Sequence, residues 1–325
     1  MPQLKYAEAV RAALEAELAA DERVVVMGEE VGRLGGVFTT TLGLLDRFGP
    51  ERVLDAPISE NGMVGWAIGA AAEGMRPVVE VMFSDFVLLA LDQLVNLGAK
   101  LHYMSNGQFS VPLVLRMPGG AGTNHGPQHS QSLESIFAHV PGLVVALPGN
   151  AADAYWMLRD AIRCDDPVVF LESKHLYFRN SEEVDFEEGP RDFGARVLRP
   201  GDSVTVVTAG RMALRCAEVA AALEPEGISC EVIDLRYLWP MDTATISASV
   251  RRTGRLAIVH EAVEFGGWGG QVAGWAAEHL FLDLDAPIAR VGAERVPIPF
   301  GQELEDQVVP TPERIAAAVR KTARF

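Results

Sequence analysis

Cysteine is scarce in this chain. Cys164, Cys216 and Cys230 are unequally spaced and form no C-x-x-C pair. That pattern fits neither a disulfide framework nor a zinc site, so a reduced compartment is expected. Long apolar runs are missing as well: Glu73 interrupts the longest candidate, short of the roughly 20 apolar residues that a membrane span needs. The N-terminal segment carries Lys5, Glu8, Arg11 and Glu15 where a signal peptide would have its apolar core, and a soluble, cytoplasmic protein is the expectation. Positive charge is the third shortage. With 28 Lys and Arg against 44 Asp and Glu the net charge is −16, which disfavours nucleic acid or an anionic membrane as a partner. A basic protein partner fits this balance, as does acidity that serves solubility alone. Nucleotide signatures are also absent: there is no P-loop, Gly266-Gly267-Trp268-Gly269-Gly270 does not match a dinucleotide fingerprint, and no G-x-G-x-x-G follows the first strand. A nicotinamide dehydrogenase is therefore disfavoured.

What is present is a normal globular composition, 49% hydrophobic and 22% charged, in a chain long enough for two domains. Leu4, Ala7, Val10, Leu14 and Leu18 recur at helical spacing and predict an amphipathic helix that packs on a sheet. Short apolar runs follow at Val24 to Met27, Val53 to Leu54, Val78 to Met82, Val111 to Leu115, Leu143 to Ala146 and Val168 to Leu171. Near-continuous Val and Leu is how strands buried on both faces read, so the first domain, residues 1–180, is expected to be an α/β fold with a mostly parallel, doubly wound sheet. Periodicity collapses through Asn180-Ser181-Glu182-Glu183 and Glu187-Glu188-Gly189-Pro190, which reads as a linker over residues 181–202. Alternation resumes with a strand at Val204 to Thr208, a helix at Arg211 to Leu223, a strand at Ser229 to Asp234, a helix at Thr243 to Arg251 and a strand at Leu256 to His260, a second α/β domain over residues 203–325.

The stretch Asp55-Ala56-Pro57-Ile58-Ser59-Glu60-Asn61-Gly62 puts a carboxylate where a strand stops and a helix begins. Open α/β sheets bind ligands at such turns. On its own terms Ser59 could simply be an N-cap and Glu60 an acid favouring the positive end of the helix. Three other stretches stand beside it: Gly28-Glu29-Glu30-Val31 at a strand end, Glu80-Val81-Met82-Phe83-Ser84-Asp85-Phe86 at another, and Gln128-His129-Ser130-Gln131 after the glycine-rich Pro118 to Gly122. In this order, with Asp92-Gln93 and Pro141-Gly142-Leu143, they resemble the β subunit of the thiamine-diphosphate-dependent decarboxylase component of 2-oxo acid dehydrogenase complexes. That family covers pyruvate, branched-chain 2-oxo acid and acetoin enzymes, and the resemblance runs from Tyr6 to the C-terminus.

The resemblance implies a pyrimidine-binding domain followed by a transketolase C-terminal-like domain. It gives Glu60 the role of the carboxyl bonded to the cofactor's pyrimidine nitrogen, which favours the tautomer that removes the thiazolium proton; a Glu in an apolar crevice can keep a proton to share. It implies that Phe86 stacks on the pyrimidine, worth ~0.5–1.5 kcal/mol beyond burial; the alternative is a core residue packed with Leu89 and Leu97. It places Glu29 and Ile58 near the cofactor, Glu29 in a proton relay for which Glu30 is a competitor. It makes His129 the histidine presented to substrate or to the lipoyl group, with His125 as a rival. A potassium ion is implied at Leu113, Ala161, Ile162 and Cys164, with Asp166 standing where the family has an Asn.

The family binds the diphosphate and magnesium through Gly-Asp-Gly followed by Asn, whereas the Gly-Asp pair here, Gly201-Asp202, is followed by Ser203. The resemblance therefore implies that an α subunit supplies that half, in an α2β2 heterotetramer. It also implies that the second domain dimerises and docks the lipoyl-bearing dihydrolipoyl acyltransferase core, unless that domain is a simple packing module. The expected reaction is decarboxylation of pyruvate or a branched-chain 2-oxo acid with reductive acylation of lipoyl groups, and Gly35-Gly36-Val37-Phe38 is closer to the branched-chain members. An acetoin dehydrogenase β subunit is the enzymatic alternative, and a non-catalytic assembly subunit is the alternative of another class.

Overall fold

The computed structural model describes residues 1–177, 179, 181–190 and 192–325; Asn180, and with it the expected end of the first domain, lies outside them. The chain forms two compact units, one made of Met1–Gly119 with Ile136–Asp192, the other of Gly120–Ser135 with Phe193–Phe325. Among the described residues no helix is long and apolar enough to cross a membrane.

In the first unit the strands are β1 (Gln3–Leu4), β2 (Val24–Gly28), β3 (Val53–Asp55), β4 (Arg76–Glu80), β5 (Val114–Gly119), β6 (Val144–Ala146), β7 (Val168–Ser173) and β8 (Glu182–Glu183). β2 to β7 run parallel in the order β6-β7-β5-β4-β2-β3. The order reverses between β2 and β4, so β3 lies to one side of β2 and the later strands to the other. Register brings Asp55, Gly28, Glu80 and Arg116 into one row across β3, β2, β4 and β5. Gly28 is required at that row: a Cβ there would meet the Glu80 carbonyl at 2.8 Å. The first helix, Tyr6–Ala20, packs chiefly on the helix Ala151–Arg163, not on a sheet, and Leu4 belongs to β1, antiparallel to β8. The segment 181–202 is thus not bare linker: β8 serves the first unit, and β9 (Arg196–Arg199) serves the second.

The second unit adds β10 (Val204–Thr208), β11 (Cys230–Asp234), β12 (Tyr237–Trp239), β13 (Leu256–Val263) and β14 (Ala289–Ala293). Its sheet runs β14-β13-β10-β11-β9, parallel except for the edge strand β9. Val206, Val232 and Val259 from the sheet meet Met212, Val219 and Leu223 of the helix Arg211–Leu223 and Ile315 and Val319 of the helix Pro312–Ala323 in one core. The glycine run near residue 268 has a packing explanation. Cβ atoms at Gly267 and Gly269 would lie 2.4 and 2.5 Å from the ring of buried His260, whose pKa burial lowers to about 4.

Candidate active site

The carboxyl ends of β2, β3 and β4 gather the first unit's candidates at the point where strand order reverses, the place where open α/β sheets take ligands. Glu60 begins the helix Glu60–Ala72 directly after β3 and is buried, 6% exposed. Ser59 occupies the N-cap position, but its side chain makes no capping bond, so the acid at the first turn is the group that faces the helix's positive end. Glu29 follows β2 and is equally buried, whereas Glu30 turns outward with φ 60°. Glu29 Oε1 has no hydrogen-bond partner among the described residues. Burial first, then the neighbouring Glu60 carboxylate, raises the Glu29 pKa. Two buried carboxyls that influence one another, one of them with an unbonded oxygen, suit a ligand that offers N–H groups.

Phe86 sits on the 3₁₀ helix Ser84–Leu89, which packs against the helix of Glu60. Next along the chain, Asp92–Gly98 is π-helical and packs on that same helix, a distortion that Asp92-Gln93 did not announce. An aromatic ladder supports Phe86: it lies edge-on to Phe83 at 6.0 Å, Phe83 lies edge-on to Phe38 at 5.9 Å, and Phe38 stacks on Tyr177 at 4.8 Å. Ile58 is 82% exposed, so an apolar contact there has to come from a group outside this chain.

Beneath the ladder lies a buried ion network that the sequence reading missed. Arg116, fully buried in β5, donates from Nη1 to Glu80 at 2.7 Å and forks onto both oxygens of Glu172 at 2.8 Å. Tyr177 hydroxyl bonds the same Glu172, and Thr40 donates to Glu80 at 2.9 Å. Burial alone would lower the Arg116 pKa, but Glu172 and Glu80 outweigh it and raise it. An Arg inside the apolar run Val114-Leu115-Arg116-Met117 was the available signal, since such a residue needs a buried partner.

His129 belongs to the second unit. It lies on the segment Gly120–Ser135, whose neck is closed by Gly120 N–H donating to Gln131 O at 3.1 Å. Thr123 hydroxyl engages His125 Nδ1 at 2.8 Å. A cavity of ≈ 370 Å³ opens beside the segment, lined by Ser130, Gln131, Ser132, Glu261 and Arg295 among others. Glu134, three residues beyond Gln131, is buried, and burial reinforced by Glu261 pushes its pKa up to about 7. A carboxyl raised in the fold contributes stability fully below its unfolded pKa and loses it as pH rises through about 7. Between pH 5 and 8 the protein should therefore lose on the order of 2–3 kcal/mol that Glu134→Gln does not lose, as urea titrations at the two pH values would measure.

Around the expected potassium ligands the donors are partly engaged. Arg76 Nη1 donates to Ile162 O and to Cys164 O, both at 3.0 Å, while Val168 N–H takes Leu113 O at 2.8 Å and Cys164 N–H reaches Ala161 O at 3.2 Å. Asp166 is exposed. Among the described residues no group of three or more His, Cys, Asp or Glu side chains is arranged to hold a metal ion.

Known proteins repeat this layout. The transketolase pyrimidine-binding domain profile matches residues 2–179, and the transketolase C-terminal domain profile matches residues 194–315. The chain is 43% identical over 324 residues to a pyruvate dehydrogenase E1 component subunit beta of Rickettsia felis, covering 99% of both chains. It is 40% identical over 327 residues to a 2-oxoisovalerate dehydrogenase subunit beta of Bacillus subtilis, covering 100% of both. Among solved structures, a split-gene transketolase, described as an inactive beta4 tetramer, superposes with a TM-score of 0.82 at 23% identity over 99% of each chain.

Proposed function

The chain belongs to the family of E1 β subunits of the 2-oxo acid dehydrogenases, and from that we propose that it forms the pyrimidine side of a thiamine-diphosphate site shared with an α subunit. The observation that carries the site assignment is the buried Glu29 and Glu60 pair at the strand-order reversal, with the unanswered Glu29 oxygen. When bound, thiamine diphosphate would supply a nucleophilic carbon and the cationic thiazolium ring that takes up the electron pair left by loss of carbon dioxide from a 2-oxo acid. Glu60 holds a proton at the pyrimidine nitrogen. Glu29, whose pKa burial and then Glu60 raise, would take part in a buried proton relay between paired active sites. Phe86, braced by Phe83 and Phe38, offers a flat face to the ring, and exposed Ile58 meets cofactor or α subunit from the outside. His129 donates to the developing oxyanion or to the incoming lipoyl sulfur.

Magnesium and the diphosphate fall to the α subunit, in an α2β2 tetramer that meets the lipoyl-bearing acyltransferase core through the C-terminal domain of residues 203–325. A potassium ion at Leu113, Ala161, Ile162, Cys164 and Asp166 would use the second lone pairs of carbonyls that already accept one N–H each. Residues 1–180 are the pyrimidine-binding domain, residues 181–202 connect the domains, and the compartment is the cytoplasm.

Co-expression with an α subunit and a decarboxylation assay over pyruvate, branched-chain 2-oxo acids and acetoin tests this reading. Turnover is expected only with both chains present, and the best 2-oxo acid identifies the substrate. Turnover by this chain alone, or turnover of acetoin only, would contradict it.

A further inference from the structure

The loop that carries His129 interrupts the first unit's sequence, yet residues 120–135 pack with the second unit. The reason is a set of carboxylates. Glu305, 0% exposed, accepts from Gly122 N–H at 2.7 Å through Oε1 and from Asn124 N–H at 3.1 Å through Oε2. Glu261 accepts from Ala121 N–H at 2.6 Å and pairs with Arg211, Nε to Oε2 at 2.6 Å. Arg211 in turn donates from Nη1 to Ala121 O at 2.8 Å. Three amides of an irregular stretch, at residues 121, 122 and 124, thus find anionic acceptors at places where no ladder or helix could serve them.

From this geometry we infer that Glu305, with the Arg211 and Glu261 pair, is a positioning residue for His129: it fixes the backbone from which the histidine is presented. The inference rests on the role given to His129 under the proposed function. The charged carboxylate matters more than the shape. Glutamine in place of Glu305 keeps the volume but offers one acceptor oxygen for two N–H donors, and its own N–H₂ would face one of them. Loss of one anchor at Gly122 or Asn124 lets the loop shift, and displacement of a reacting group by about 1 Å can cost as much as ~10²-fold in rate.

The test uses the assembled α/β complex in four forms: wild type, Glu305→Gln, His129→Asn and the double variant. Amide hydrogen exchange over residues 120–131 is read beside lipoyl-dependent turnover. Glu305→Gln is expected to speed exchange at Gly122 and Asn124 by about tenfold or more and to slow lipoyl-dependent turnover by about ten- to a hundredfold, with half-maximal activation by thiamine diphosphate unchanged. The double variant should be no slower than His129→Asn, because Glu305 acts through the histidine. Exchange and turnover like wild type in Glu305→Gln, or effects that multiply in the double variant, would overturn the inference. If His129→Asn turns over normally, the role given to His129 fails, and the exchange rates alone decide whether Glu305 holds the loop. Should Glu305→Gln fail to assemble, Arg211→Lys, which keeps the charge but gives up the Nη1 bond to Ala121 O, enters the same comparison: faster exchange at Ala121 with slower turnover, and no further loss in the double variant with His129→Asn, are expected, and wild-type exchange and turnover would overturn the inference.

Discussion

Glu60→Gln in the assembled complex is expected to lower turnover of the 2-oxo acid by about 10²–10⁴-fold, the span of a lost general acid–base group. The fold should not notice. Glu60 is the first residue of the helix Glu60–Ala72, its side chain is buried, and glutamine fills the same space. What glutamine cannot do is give and take a proton at the pyrimidine nitrogen. It still offers one hydrogen bond, so affinity for thiamine diphosphate should weaken only modestly, by about tenfold at most. The neighbour supplies a second readout. Glu29 is raised by burial first and by Glu60 second, so the variant removes the second cause and leaves the first, and the Glu29 carboxyl should titrate lower than in the wild type while staying above its ordinary value. Turnover within a fewfold of wild type, in a complex that binds cofactor, would remove Glu60 from the chemistry.

Arg116→Met is expected to destabilise the first unit by about 3–5 kcal/mol, the cost of breaking a buried pair from one side. The cause is not the lost packing, since methionine is apolar and long. It is that Glu80 and Glu172, both buried, lose the Arg116 guanidinium that bonds each of them. Thr40, which donates to Glu80, and Tyr177, which bonds Glu172 and stacks on Phe38, should loosen with them, and Phe86 stands at the end of that ladder. Thermal unfolding should move down by roughly 10 °C or more. Replacing the whole cluster with apolar residues, Glu80→Leu and Glu172→Leu together with Arg116→Met, should recover most of the lost stability while leaving turnover low, because desolvated charges are removed but the ladder's anchor is not restored. A single variant as stable as wild type would mean that water reaches the cluster and solvates the two carboxylates.

Much of the fold was legible because its local signals agree. Pro57 ends β3 and the Ala and Gly spacing after Met63 is helical, so the turn at Glu60 could be placed from sequence, and the apolar runs marked all six parallel strands to within a few residues. Other features depend on partners far along the chain. Nothing near Arg116 says that Glu172 lies across the sheet, because strand order is a tertiary fact. The choice between Glu29 and Glu30 turned on the left-handed φ at Glu30, which sends that side chain outward. The first helix was expected on a sheet and lies on the helix Ala151–Arg163 instead, where Glu17 ties Arg159 and Arg163 at 2.6 and 2.7 Å; periodicity shows that a face is apolar, not what covers it. The sequence around His129 does not show that the segment belongs with the second unit, because its acceptors, Glu261 and Glu305, lie far along the chain.

The central claim, a site built from two chains with Glu60 as its proton-holding group on this one, is tested most directly by exchange of the thiazolium C2 proton of bound thiamine diphosphate with solvent deuterium. Three samples suffice: α subunit alone, α with this chain, and α with this chain bearing Glu60→Gln, each saturated with cofactor and magnesium. Fast exchange should appear only with the wild-type chain and should fall by about 10²-fold or more in the variant. Exchange that is as fast with α alone, or unaltered by Glu60→Gln, would contradict the account.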